Sequence, residues 1–176
     1  MFFKKIIIIF IFLIFYQTTS HSKSSSFDDQ DFNNLSKYFS GIVALESKNN
    51  SLALDYFNSS RILLNKHDPY LQKFVTSLVL ERKVNKAVNT IKYNSKKSEY
   101  NFFEAYILIA LESLKKNNIN EALKVLENIP ENLKKNRFNK IIANSLIQYL
   151  TVFSEKKIIK QNYNFGNLSL ILETFQ

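Results

Sequence analysis

The order of apolar and polar positions divides the chain into distinct stretches. Ile6 to Tyr16 are an unbroken apolar run of eleven residues, with Lys4 and Lys5 ahead of it and Thr18, Thr19, Ser20 and Ser22 behind it. Residues 23–31, KSSSFDDQD, are polar and have no period. From about Asn33 onward, apolar residues return every three to four positions, the spacing of helices with one buried face. The spacing predicts helices over 33–47, 51–64, 69–82, 84–94, 100–116, 120–128 and 137–154, and a weaker one from 155. Asp68-Pro69 reads as a helix start, with Asp as N-cap and Pro at the first helical position, where its missing N–H costs nothing. Asn50-Ser51, and Asn118 to Asn120 ahead of Glu121, mark further boundaries.

The first stretch has the sequence order of a secretory signal: positive, apolar, then small residues where a signal peptidase cuts. Eleven helical residues span about 16 Å, short of a hydrocarbon core of about 30 Å. The expectation is therefore a signal peptide over 1–22, cut after Ser22 or Ser20, and a flexible lead-in over 23–32. The alternative is an uncleaved anchor that recruits Phe2 and Phe3. The first reading sends the chain to the periplasm or outside the cell, and the second holds it at the inner membrane.

The helical part repeats itself. Ser51-LALDYF-Asn58, Lys86-AVNTI-Lys92 and Glu121-ALKVL-Glu127 share an Ala, an aliphatic residue after it, and a large apolar residue four after the Ala. The alanines are Ala53, Ala87 and Ala122, 34 and 35 residues apart. Gly41 lies twelve residues before Ala53, with Phe57 four after it. Val75 and Ile91 hold the corresponding positions around Ala87, and Ala110 and Leu126 those around Ala122; Tyr106 supplies an early aromatic in the third unit. In period and in these positions the chain resembles the tetratricopeptide repeat, two helices per unit of about 34 residues. It departs from that pattern in having no Trp, only one of the expected glycines, and displaced prolines at Pro69 and Pro130.

The resemblance implies an all-α fold, an α-α superhelix: a right-handed solenoid of antiparallel helix pairs. Units are expected at about 33–67, 68–99, 100–135 and 136–160, with 161–176 as a degenerate or truncated end. Gly41, Ala53, Phe57, Ala87, Ile91, Ala110, Ala122 and Leu126 are the expected packing residues, because a small residue lets two helices approach and a large one fills the facing groove. The first helices of such arrays line a concave groove for a peptide or a partner helix. By that resemblance Tyr38, Ile42, Gln72, Thr76, Ile107 and Leu111 are the candidate groove positions. The chain ends on an apolar run rather than a polar closing helix, which suggests a longer array or self-association through that edge.

Composition removes most other chemistry. The chain has two Gly and two Pro among 176 residues, which disfavours a sheet-rich fold with many tight turns. It has no Cys and two His, so thiolate sites and Ser-His or Cys-His triads lack their parts. His21 lies in the signal-like stretch, and His67 reads as an exposed turn residue. No Gly-rich phosphate loop occurs. Asp28, Asp29 and Asp31 cluster without the spacing or glycine of a calcium loop. The carboxylates Glu99, Glu104, Glu112 and Glu121 carry no mark of an acid–base pair. The formal charge of +9 raises nucleic acid or an anionic membrane as a partner. Against nucleic acid stands the scarcity of Arg, found at Arg61, Arg82 and Arg137 alone. The basic group Lys134, Lys135, Arg137 and Lys140, and Lys156, Lys157 and Lys160 beyond it, read as solvated helix ends. The expectation is an exported scaffold that binds another protein or peptide, with no catalytic residues, metal or cofactor. The alternative is a membrane-anchored envelope assembly factor.

Overall fold

A computed structural model of the protein describes residues 29–95 and 100–155. The signal-like stretch 1–22, the lead-in up to Asp28, Glu99, the three lysines after Glu155 and the end over 161–176 lie outside the described residues. The packing given below is that of the unit Asn34–Gln176.

The described residues form seven α-helices and one 3-10 helix, and no strand. They are α1 (Asp29–Glu46), α2 (Asn50–Ser59), the 3-10 helix (Arg61–Asn65), α3 (Asp68–Leu80), α4 (Val84–Asn94), α5 (Phe103–Lys115), α6 (Ile119–Glu127) and α7 (Arg137–Glu155). Three boundaries differ from the sequence reading by three residues or more, one of them the helix expected from 100, which starts at Phe103. The first helix starts at Asp29 rather than Asn33, because a polar helical turn carries no apolar period to announce it. The helix expected over 51–64 stops at Ser59 and continues as the 3-10 helix. At that point the buried Ser60 hydroxyl donates to the Tyr56 carbonyl at 2.9 Å, a side-chain bond back to the preceding turn of the kind that bends a helix. The N-cap of α3 is also corrected. His67 holds the extended N-cap conformation, and Asp68 and Pro69 are the first helical residues. Asn49 and Asn118 cap α2 and α6, their side chains accepting from the Leu52 and Glu121 N–H groups at 3.3 and 3.1 Å.

Three helix pairs, α1–α2, α3–α4 and α5–α6, are each joined by three residues, and the three turns share one geometry. Lys48, Arg82 and Asn117 have φ of 61°, 60° and 58°. They stand 34 and 35 residues apart, the spacing of the alanines. In each turn that residue's N–H donates three residues back: Lys48 to Leu45, Arg82 to Val79 and Asn117 to Leu114, at 2.9–3.0 Å. The next residue's N–H donates five back: Asn49 to Ala44, Lys83 to Leu78 and Asn118 to Ser113, at 2.8–2.9 Å. This pair of bonds is the Schellman motif, which satisfies the last carbonyls of a helix and reverses the chain. Sequence reading missed these three positions because none is Gly. Their common spacing was the signal that would have found them.

Each pair closes around small residues. Ala53, Ala87, Ala122 and Phe57 are fully buried, and Ile91 and Leu126 nearly so. Gly41 faces the Phe57 ring of α2: a Cβ there would sit 2.8 Å from a ring carbon of Phe57. Val75 and Ala110, the corresponding residues of α3 and α5, are also buried, and α7 carries the fully buried Ala143 33 residues after Ala110.

Successive helices pack on one another, α2 on α3, α4 on α5 and α6 on α7, and the buried residues form two clusters. The first gathers Tyr38, Phe57, Tyr70, Phe74, Leu78 and Ile91 with Ala105 and Ile109 of α5. The second gathers Phe103, Tyr106, Ala110, Leu126, Ile129, Ala143 and Leu150. Tyr100 and Val125 pack against both. In the first cluster the Tyr38 ring lies 5.9 Å from Phe57 and 5.7 Å from Tyr70, centroid to centroid. The Tyr70 hydroxyl donates to the Phe57 carbonyl, which ties α3 to the C-terminal turn of α2.

Candidate partner-binding surface

The residues expected to line a groove sit on the first helix of each pair, and their environments differ. Tyr38 is corrected from a surface position to a core one. It is 3% exposed and fills the space between Phe57, Tyr70 and His67, so it has no face to offer a partner. An aromatic at a helix position shared with Gln72 and Ile107 reads as a groove residue from spacing alone. Depth of burial depends on which helices lie over it, and spacing does not report that. His67 is corrected by the same contact: its ring stands edge-on to Tyr38 at 4.8 Å and is half-buried, rather than exposed at a turn.

Ile42, Gln72, Thr76 and Ile107 are half-buried and Leu111 is exposed. Ile42 packs on the first cluster and Ile107 on the second. The Gln72 amide donates from Nε2 to Glu104 Oε2 at 3.2 Å, a link from α3 to α5, while the Thr76 hydroxyl donates back to the Gln72 carbonyl at 2.8 Å. Gln72, Thr76 and Glu104 thus make one polar strip on neighbouring first helices. The carboxylate of Glu104 and the side chain of Leu111 are exposed at its α5 end. Such a surface can accept hydrogen bonds and cover apolar area.

A second feature lies between α4, α5 and α6. A cavity of about 540 Å³ is lined by Lys92, Tyr100, Tyr106, Glu112, Lys116 and Glu121 among others. Glu112 accepts from Lys116 at 2.8 Å and from Lys92, the second bond joining α4 to α5. The bonds from Lys116 and Lys92 hold its carboxyl below the usual carboxylate range, so at neutral pH it has no proton to give. The Tyr100 N–H donates to the Tyr106 hydroxyl at 3.2 Å. Burial first, and then the neighbouring Tyr106, Glu121 and Glu112, push the Tyr100 phenol up.

Of the basic group before α7, Lys134 is half-buried and paired with Glu131 at 2.6 Å, while Lys135, Arg137 and Lys140 are exposed. Among the described residues no three His, Cys, Asp or Glu side chains converge to hold a metal ion. Among the same residues no helix is long and apolar enough to cross a membrane. Comparison with protein-family models, with curated proteins and with solved structures found no match.

Proposed function

We propose that this protein is an exported tetratricopeptide-like scaffold, a solenoid of helix pairs that binds a peptide or a partner helix along the face carried by α1, α3 and α5. The observation that carries this reading is the threefold recurrence of one helix–turn–helix geometry at a spacing of 34 and 35 residues, with a buried Ala in each second helix. Stacked pairs of one period set their first helices side by side, and a row of equivalent positions becomes a continuous surface. Ile42, Gln72, Thr76, Ile107 and Leu111 are the proposed contacts, mixed apolar and amide groups suited to helix-in-groove or extended-peptide docking. Tyr38 is left out because it is buried.

The export part of the proposal rests on the leader-like order Lys4-Lys5, Ile6 to Tyr16, Ser20 and Ser22. The same apolar run supports a second reading, an envelope assembly factor held by an uncleaved N-terminal helix. The N-terminal residue of the protein recovered from cells separates the two: Lys23 or His21 for cleavage, Met1 for the anchor.

Affinity capture from an envelope extract tests the binding face. The bait is compared with a Gln72→Glu, Leu111→Glu variant, after both show the same helical circular dichroism. A protein held by the first and lost with the variant supports the proposed face; equal capture by both rejects it.

A further inference from the structure

The row of positions assigned above to partner binding does not stop at α5. Ala143 of α7 is fully buried 33 residues after Ala110, and both belong to the second cluster, so α7 takes the place of the next first helix. Counting the same 33 residues forward carries Glu104, Ile107 and Leu111 to Arg137, Lys140 and Asn144. Arg137 and Lys140 are exposed and Asn144 is half-buried, while Ala143 beside them is sealed. The three stand three and four residues apart, the spacing that places side chains one above another on a single helix face.

The row therefore changes character along the stack. It carries Ile42 on α1, the Gln72 amide and Thr76 hydroxyl on α3, and Ile107 and Leu111 on α5. On α7 it becomes two cations and an amide, with exposed Lys135 just ahead of them. These cations lack a counter-charge. None of Lys135, Arg137 and Lys140 has an ion-pair partner among the described residues, and the first turn of α7 holds no acidic residue. Glu131 lies close enough to feel Lys140, but it is bonded to Lys134. Glu104, one helix back in the row, already takes the Gln72 amide.

We propose that the segment bound by this face is acidic at one end: its carboxylates meet Arg137, Lys140 and Lys135 at α7, and its apolar side chains lie on Leu111 and Ile107. This inference rests on the face assigned above and adds the chemistry and direction of its ligand. The Arg137 guanidinium offers a carboxylate two parallel N–H donors, and Lys140 adds a point charge one turn further along. Asn144 can donate to a backbone carbonyl between them. A nucleic acid or an anionic bilayer brings charge along its whole contact, which calls for cations at every step of the row. The steps before α7 hold Gln72, Ile107 and Glu104 instead, so the charge of a complementary ligand is confined to one end.

Selection of random twelve-residue peptides on the chain as recovered from cells is the test, followed by fluorescence anisotropy of the selected peptides. The expected peptides carry two or more Asp or Glu at one end and aliphatic residues at the other, and they bind more weakly as salt rises. Arg137→Gln with Lys140→Gln should weaken them by about tenfold, the loss of two solvent-facing ion pairs. The same pair of changes should leave the Asn and Gln versions of those peptides unaffected. Lys83→Gln with Lys86→Gln removes equal charge from exposed positions on α4, off the face, and should change nothing. Each variant must first show the parent's helical circular dichroism. Peptides lost with Leu111→Glu but without acidic preference, or indifferent to the Arg137 and Lys140 changes, would overturn the acidic ligand and leave the face standing. Peptides indifferent to Leu111→Glu would overturn the face and this inference with it. So would a chain that selects no peptide, including one that binds single-stranded RNA or phosphatidylglycerol vesicles through Arg137 and Lys140.

Discussion

Tyr70 shows how much a single buried polar group does here. It is fully buried, yet its hydroxyl has a partner, the Phe57 carbonyl, so neither group is left unsatisfied. Burial pushes its phenol from the usual 10.0 up to about 12, against smaller opposing effects of the Ser60 hydrogen bond and the Arg61 charge. The raised value means that the folded chain holds this proton more tightly than the unfolded one. The stability it contributes is complete below pH 10 and is lost as pH climbs from 10 toward 12, about 2–3 kcal/mol across that window. In urea titrations, Tyr70→Phe should cost about 1 kcal/mol at pH 7 for the lost hydrogen bond. It should also flatten the alkaline fall relative to the parent chain. An equal fall in both chains would show that the phenol titrates as if exposed. Gly41 is the other residue with a single physical reason. Phe57 is fully buried and ringed by Tyr38 and Tyr70, so it has no room to give way to a Cβ 2.8 Å from its ring.

At the scale of the element, the repeated unit is defined by its turn as much as by its helices. Lys48, Arg82 and Asn117 occupy the left-handed region, where a Cβ costs about 1–2 kcal/mol and Asn is better tolerated than most. Glycine there removes the strain and costs about 0.5–1 kcal/mol in chain entropy. Lys48→Gly and Arg82→Gly are each expected to stabilise the fold by about 0.5–1 kcal/mol, and Asn117→Gly by less. The same change at Lys37, inside α1, should destabilise by about 1 kcal/mol. Chemical denaturation midpoints of the four variants check the pattern, and a loss of stability at position 48 or 82 would contradict the turn geometry. The helices themselves were legible from sequence, since α3 to α7 begin and end within a few residues of the apolar period. The turns were not, because glycine is the usual signature and these turns do without it.

At the scale of the whole molecule, two buried clusters among the described residues meet at Tyr100 and Val125. Arrays in which each unit touches only its neighbours have stability that is a sum of local terms. Leu126→Ala, in the second cluster, and Phe57→Ala, in the first, should each cost about 2–5 kcal/mol. Native-state amide exchange should place that loss locally. Leu126→Ala is expected to speed exchange in α5, α6 and α7 more than in α2 and α3, and Phe57→Ala to do the reverse. A uniform rise in every helix for both variants would mean one cooperative unit instead.

What the amino-acid order determined by itself is what depends on short-range periodicity. It determined the all-helical class, the places of most helices, and the 34- and 35-residue recurrence of Ala53, Ala87 and Ala122. Those follow from which residues must leave water at a 3.6-residue spacing, and neighbours in sequence suffice to state them. What only the tertiary structure decided is which surface each helix face meets. Tyr38 and Gln72 hold equivalent positions, yet one is sealed among aromatic rings and the other reaches out to Glu104. Val43 and Ser77 are likewise equivalent, and one lies in the open while the other is buried. The physical reason is the same in both cases: burial is set by what stacks above a position, and stacking brings together residues from different helices that no local pattern links.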